Sequence, residues 1–343
     1  MPQKPKVIFD PHFRTMDEVF SSADKTRLYE LAEVVWGRDE PMPQEAFLSA
    51  LPDAEVVICA DWRYGDVLTQ AKNLRAILVI SGAFPLDLDY EYCYQHKIRV
   101  LSVAPAFARQ VAEMCLGLAL ASSRDIAKGD RQMRQGNEPY LHDANTETFL
   151  LFGKTVGIIG YGNIARALHP LLKPFGCDIL AYDPWLGDRY LMQQGVTPVS
   201  LETLLDRSQV IFVLAAPTKE NSAMLSREQL SRLSATDVLV LASRAHVVDF
   251  DAMTEMVLAG KFKVATDVFP TEPLQVDHPI RQAENAVLSA HKAGSVPEGL
   301  QEIGEMVVDD LEVLLQGLPP RRLQNAEPEL SMRYAVNKAK DSE

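Results

Sequence analysis

The chain has 343 residues, and its 34 lysines and arginines against 47 aspartates and glutamates leave a formal net charge of −13 with histidine neutral. So acidic a chain lacks the basic footprint of a general nucleic-acid binder and is not drawn to anionic lipid. With 47% hydrophobic and 24% charged residues it has an ordinary globular composition, and its length predicts roughly two domains with cores that need no disulfide or metal staples. The four cysteines (Cys59, Cys93, Cys115, Cys177) are dispersed without CxxC spacing, so no metal site or redox motif is expected. No signal-peptide apolar core follows Met1, and no stretch approaches the ~20 apolar residues that span a bilayer. These features predict a cytoplasmic protein with neither nucleic-acid nor membrane partners.

Along the first third, short apolar runs at Val7–Phe9, Val56–Ala60, Ala76–Ser81 and Ile98–Leu101 alternate with stretches rich in helix formers, Lys25–Val35 and Asp66–Asn73. Strand and helix at these intervals read as a parallel sheet with crossover helices. Val111, Met114, Cys115 and Leu118 recur at i, i+3, i+4, i+7, which predicts one long amphipathic helix from about 108 to Lys128. Residues 129–150 turn polar and irregular. A second α/β series follows, with strands at Thr155–Gly160, Asp178–Asp183, Val210–Ala215, Val238–Ala242, Lys263–Val268 and Ala286–Ser289, a last helix over 297–316, and a polar tail after Pro319.

The segment Thr155-Val-Gly-Ile-Ile-Gly-Tyr-Gly-Asn-Ile-Ala-Arg166 holds GxGxxA at Gly160, Gly162 and Ala165. An apolar strand precedes it, and a helix over Ile164–Phe175 is expected after it. Gly160 would permit the tight turn, Gly162 would let a pyrophosphate approach the backbone, and Ala165 would keep helix and strand close. The phosphates would meet N–H groups at the helix start. The next strand ends at Asp183, 18 residues after Ala165; a carboxylate there accepts from both ribose hydroxyls and repels a 2′-phosphate, which favours NAD over NADP.

With this motif in place, roughly residues 50 to 326 resemble the D-isomer-specific 2-hydroxyacid dehydrogenase family. Three segments carry the resemblance: Ala242-Ser-Arg-Ala-His-Val-Val-Asp249, Asp267-Val-Phe-Pro-Thr-Glu-Pro-Leu274 and Leu288-Ser-Ala-His-Lys-Ala-Gly294. It implies an α/β fold of two doubly wound parallel-sheet domains, a flavodoxin-like substrate domain and a Rossmann NAD-binding domain, with a cleft between them. The substrate domain would be discontinuous, residues 1–105 and 295–343, and the NAD-binding domain would span 106–294. Arg244, Glu272 and His291 would form the catalytic triad. The chemistry agrees: a strand-end guanidinium holds a carboxylate and never deprotonates, imidazole titrates where a ketone reduction needs a proton, and a carboxylate orients the imidazole.

By the same resemblance, NAD would be held by Gly160, Gly162, Asn163, Ile164, Asp183, Ala216, Pro217, Ala242, Ser243, Arg244, Asp267, His291, Ala293 and Gly294, with Asp267 binding the nicotinamide carboxamide. The substrate, a small 2-oxo or D-2-hydroxy acid, would meet Ala83, Phe84, Arg244 and His291. No metal is implied, and a homodimer is, packed through the arm around 129–150.

The chain also departs from the family pattern. Ala245 and His246 follow the arginine where glycine is usual, Leu241 replaces a common asparagine, and Ser81-Gly82-Ala83-Phe84-Pro85 replaces a GxG substrate loop. Lys292 follows the histidine, while Trp62, Arg63, Tyr64, Phe107 and Arg109 are further candidates for substrate contact. Two alternatives stay open on the sequence: a phosphite dehydrogenase-like enzyme with the same triad, and an NADH-gated corepressor-like binding protein of the same fold. Formate enzymes are disfavoured by Glu272.

Overall fold

The computed structural model describes residues 4–144, 147–331 and 333. The chain divides into two compact units, Met1–Phe107 with Gly294–Glu343, and Ala108–Ala293. The second is inserted into the first.

In the first unit, β1 (Lys6–Asp10), β2 (Glu33–Trp36), β3 (Val56–Cys59), β4 (Ala76–Val79) and β5 (Arg99–Ser102) pair in parallel in the order β2-β1-β3-β4-β5. Their runs are continuously apolar because both faces are covered. Val7, Phe9, Val56, Ile58 and Leu78 enter one core, while Ile8, Val57, Ile77, Val79 and Val100 enter the other, following the two-residue period of a strand. The last helix, Pro297–Leu315, contributes Leu300, Ile303, Val307 and Leu311 to the first core. Arg27 on helix Ser22–Leu31 ties it by charge to Asp309 and Glu312.

The resemblance implied a parallel sheet in this unit, but the sheet is mixed. The polar tail contributes an edge strand, Gln324–Asn325, antiparallel to β5. Asp310, 2% exposed, fixes this return by accepting the amides of Arg321, Arg322 and Leu323 at 2.7–3.2 Å.

In the second unit, β6 (Thr155–Ile159), β7 (Asp178–Tyr182), β8 (Thr197–Pro198), β9 (Val210–Val213), β10 (Val238–Leu241), β11 (Lys263–Thr266) and β12 (Ala286–Leu288) form an all-parallel sheet, β12-β11-β10-β9-β6-β7-β8. This is the doubly wound dinucleotide-binding order with one strand added. The winding reverses between β6 and β9, and ligands gather outside the strand ends at such a point.

Several expected elements differ. Lys25–Val35 is helical only to Leu31, because the β-branched pair Val34–Val35 joins the ladder beside Val7 and Ile8. Asp66–Asn73 holds only the single 3-10 turn Leu68–Gln70. The long helix is two, Ala108–Ser123 and Ile126–Gln135, broken at Asp125, whose φ is +51°. The Asp125 carboxylate instead takes a 2.6 Å bond from Lys263, which is 2% exposed. Among the described residues no helix is long and apolar enough to cross a membrane.

Candidate active site

The second unit builds its crevice from the strand ends on either side of the switch point. After β6, Gly160 turns the chain with φ +87°, and a Cβ there would lie 2.5 Å from the Ala215 Cα and 2.6 Å from its nitrogen. Glycine is required by conformation and by space together. Gly162 is different: its φ is −85°, it caps helix Asn163–Leu172, and a Cβ on it would have no atom within 4 Å. Ala165, fully buried, seats that helix on the sheet, while Asn163 and Ile164 are half-buried in its first turn. Asp183, just beyond β7, accepts the Tyr161 amide at 2.8 Å and the Trp185 amide at 2.9 Å, one on each oxygen, which leaves further acceptor capacity. A tight turn, open space over a helix N-terminus and a strand-end carboxylate together fit a dinucleotide.

Across the switch point, Ala216 is exposed and Pro217 half-buried. Asn221 donates to the Ala216 carbonyl at 2.8 Å and accepts from the Thr218 amide at 2.8 Å. His246, unforeseen in this role, joins this loop to the segment after β10 through a 2.8 Å bond between its Nε2 and the Thr218 carbonyl. Ala242 and Ser243 lie at that strand end, each 7% exposed, and the buried Ser243 hydroxyl has no partner among the described residues.

Arg244 follows, held by a 2.8 Å bond from its Nη1 to the Ser243 carbonyl. The residue is exposed by area, yet enough protein surrounds the guanidinium that desolvation pulls it below its ordinary value, with the Glu272 charge opposing. It stays a cation under all conditions of interest.

The segments after β11 and before Gly294 bring the histidine and its carboxylate together. His291 Nδ1 and Glu272 Oε2 are 2.5 Å apart, and Glu272 Oε1 accepts the Phe269 amide at 2.9 Å. The two side chains are 41% and 34% exposed. An ionised carboxylate only accepts, so the Nδ1 carries hydrogen and the Nε2 is left to take or give a proton. His291 itself sits at φ +47°, a backbone position imposed by Asp267. The Asp267 carbonyl accepts the His291 amide at 2.8 Å, and its carboxylate accepts the amides of Lys292 and Ala293 at 3.1 and 3.0 Å. That carboxylate, expected to face the nicotinamide, is on a residue 1% exposed; its visible occupation is to shape the histidine loop. Ala293 is buried and Lys292 exposed.

Gly294 belongs to the first unit, where a Cβ on it would meet the Phe107 ring at 2.9 Å. In that unit the substrate-loop candidate follows β4. Gly82 has φ +83°, and a Cβ on it would sit 2.5 Å from the same ring. Ala83 is exposed, while Phe84 is half-buried against the core beneath.

Of the candidates after β3, the two aromatic residues turn inward, while Arg63 stays exposed. Trp62 and Tyr64 are each 2% exposed and pack with Phe47. Arg63 is drawn to Asp10, fully buried at the end of β1, by 2.7 and 3.1 Å bonds, and Tyr64 donates to the same carboxylate. Asp10 was legible only as a polar residue closing an apolar strand. Arg109 is exposed. Among the described residues no group of three or more His, Cys, Asp or Glu could hold a metal ion.

Residues 116–293 match the family model described as D-isomer specific 2-hydroxyacid dehydrogenase, NAD binding domain. The chain is 30% identical over 287 residues to a D-3-phosphoglycerate dehydrogenase of Archaeoglobus fulgidus, covering 83% of this chain and 54% of that protein. It is 30% identical over 301 residues to a glyoxylate reductase of Thermofilum pendens, covering 84% and 87%. It thus spans about half the length of that phosphoglycerate dehydrogenase. Among solved structures, a phosphoglycerate oxidoreductase from Rhizobium etli is similar with a TM-score of 0.82 and 34% identity, covering 94% of this chain and 99% of that one.

Proposed function

The chain belongs to the D-isomer-specific 2-hydroxyacid dehydrogenase family, and from that premise we propose that it is an NAD(H)-dependent oxidoreductase interconverting a small 2-oxo acid and a D-2-hydroxy acid. The observation that carries this reading is the His291–Glu272 pair at 2.5 Å, beside a guanidinium that feels the Glu272 charge, in the unit that matches the NAD-binding domain.

NADH, when bound, supplies the two electrons as hydride to C2. The turn at Gly160, the open helix start at Gly162–Ile164 and Asp183 would hold it, with Ala216, Pro217, Ala242 and Ser243 along the crevice. Asp183 favours the unphosphorylated ribose. Arg244 holds the substrate carboxylate bidentately and polarises the neighbouring carbonyl. Ala83 and Phe84, on the loop after β4, are proposed as further substrate contacts. His291 Nε2 delivers the proton to the carbonyl oxygen, and Glu272 holds the ring and balances the imidazolium. Asp267 fixes where the imidazole stands. In the reverse direction the Nε2 takes the hydroxyl proton.

The same reading carries a cytoplasmic homodimer. Exposed Ile126, Met133, Tyr140, Leu141, Leu150 and Phe152 support an apolar contact surface along that arm. The test of function is loss of NADH absorbance with a panel of 2-oxo acids. Turnover that falls about 10²-fold or more in His291→Ala supports the assignment; unchanged turnover removes His291 from it, and tight NADH binding with no turnover of any acid favours a binding module.

A further inference from the structure

β12 is the outermost strand at one side of the second unit's sheet. Its residues Ala286, Val287 and Leu288 line a cavity of about 260 Å³ together with Ala127 and Arg131 of helix Ile126–Gln135 and Arg281 of the 3-10 turn Pro279–Gln282. All of them belong to the second unit, and both arginines are exposed. Ala127 and Arg131 are four residues apart and share one helix face. The exposed apolar Ile126 and Met133 are seven apart and lie on another, so the cavity does not draw on the proposed dimer surface.

Both guanidiniums are held in place by backbone rather than by charge. Arg131 Nη2 donates to the Glu284 carbonyl at 3.0 Å. Arg281 donates from Nε to the Gln275 carbonyl and from Nη2 to the Leu274 carbonyl, each at 2.8 Å. Among the described residues neither has a carboxylate within ion-pair distance, the exposed Glu284 included, whereas Arg134 on the same helix is paired with Asp130. A guanidinium carries five N–H donors, and these bonds use one on Arg131 and two on Arg281. On Arg281 the two used share the Nε–Nη2 edge. The Nη1–Nη2 end stays open, and such an end takes a carboxylate bidentately. An arginine fixed beforehand by two carbonyls loses little freedom when it binds an anion.

We propose that Arg131 and Arg281 form a binding site for a short aliphatic dicarboxylate. One carboxylate meets each guanidinium, and the hydrocarbon between them lies on the apolar wall of Ala127, Ala286 and Val287. A bare phosphate or sulfate answers the charge but leaves that wall uncovered. The volume suits a small acid, below the roughly 300–1,000 Å³ of pockets for larger ligands. The site stands apart from Arg244 in the chain, and Arg281 reaches the catalytic loop only through Leu274 and Gln275, the second and third residues after Glu272.

Calorimetric titration with succinate, glutarate and adipate at constant ionic strength tests the site, with butyrate and sulfate as controls. At least one of the dicarboxylates binds with a Kd of about 1 mM or tighter, roughly tenfold or more below those of butyrate and sulfate. Arg131→Gln gives up one exposed backbone bond and weakens that binding about tenfold or more, the scale of a hydrogen bond to a charged group. Ala127→Glu keeps the arginines and places a carboxylate four residues before Arg131, a pairing that favours the helix. It abolishes the binding while the urea midpoint holds or rises, a combination that loss of fold cannot produce. Arg244→Gln, which removes the guanidinium proposed for the substrate, leaves the binding intact. No saturation by any of the dicarboxylates below about 10 mM, sulfate bound as tightly as they are, binding unchanged in Arg131→Gln or Ala127→Glu, or binding lost in Arg244→Gln overturns the site. None of these results bears on hydride transfer, which the turnover assay tests separately.

Discussion

Gly160 and Gly162 stand two residues apart in one motif, yet the structure gives them opposite vulnerabilities. A methyl group on Gly160 would need an L residue at φ +87° and would overlap the Ala215 backbone at 2.5 Å. The first penalty is about 1–2 kcal/mol. The second is an overpacking cost of roughly 1–3 kcal/mol, because the obstructing atoms are backbone and cannot swing aside. Gly160→Ala is thus expected to destabilise the protein by about 2–5 kcal/mol, a large part of a typical stability of roughly 5–15 kcal/mol. Gly162→Ala meets no atom within 4 Å and keeps an ordinary φ of −85°, so its stability changes by less than about 1 kcal/mol. Its methyl group instead fills the space over the helix start that a pyrophosphate would enter, and NADH affinity falls by about tenfold or more, equivalent to ~1.4 kcal/mol. Urea midpoints and fluorescence titration with NADH read the two effects separately. A Gly160→Ala protein as stable as wild type, or a Gly162→Ala protein that binds NADH unchanged, would contradict these roles of the two glycines.

Three further outcomes are expected. Asp267→Asn gives one of the Lys292 and Ala293 amides a donor to face, loosening the histidine loop; kcat drops by about tenfold or more in steady-state kinetics while the urea midpoint moves little, on the scale expected when a positioning contact is lost. Lys263→Met leaves the Asp125 carboxylate without its partner and costs about 3 kcal/mol, read from chemical denaturation, and adding Asp125→Asn recovers part of it. Burial holds His169 below its ordinary pKa of 6.5, so the unfolded chain takes up its proton first as pH falls. The contribution is present above 6.5 and is lost on acidification below it; thermal melts between pH 7.5 and 5 therefore fall less steeply in His169→Gln than in wild type.

The parallel strands were legible because chains buried on both faces must write continuous apolar runs, as at Val56–Cys59 and Val238–Leu241. GxGxxA was legible because Gly160 is fixed by its turn and Ala165 by helix–strand packing, while Gly162 leaves the space a pyrophosphate would need. The segments bearing Arg244, Glu272 and His291 stood out by their order, and the 2.5 Å pairing of the last two supports their reading as a unit. What the sequence hid depends on partners distant along the chain. The strand Glu33–Trp36 exists because β1 pairs with it, and the helix break at Asp125 answers to Lys263, 138 residues away. Gln324–Asn325 is a strand because Asp310 collects three amides before it. Trp62 and Tyr64 looked like ligand contacts, since aromatic residues after a strand do face ligands; only the Asp10–Arg63 bond and the Phe47 stack turn them inward.

The proposed reaction transfers hydride directly to C2 of a 2-oxo acid while His291 manages the proton. Reduction with NADH deuterated at C4 on the transferring face tests it most directly. One deuterium is expected at C2 of the product for each NADH consumed, with a product of D configuration. Deuterium lost to solvent, an L product, or no transfer to any 2-oxo acid would contradict it.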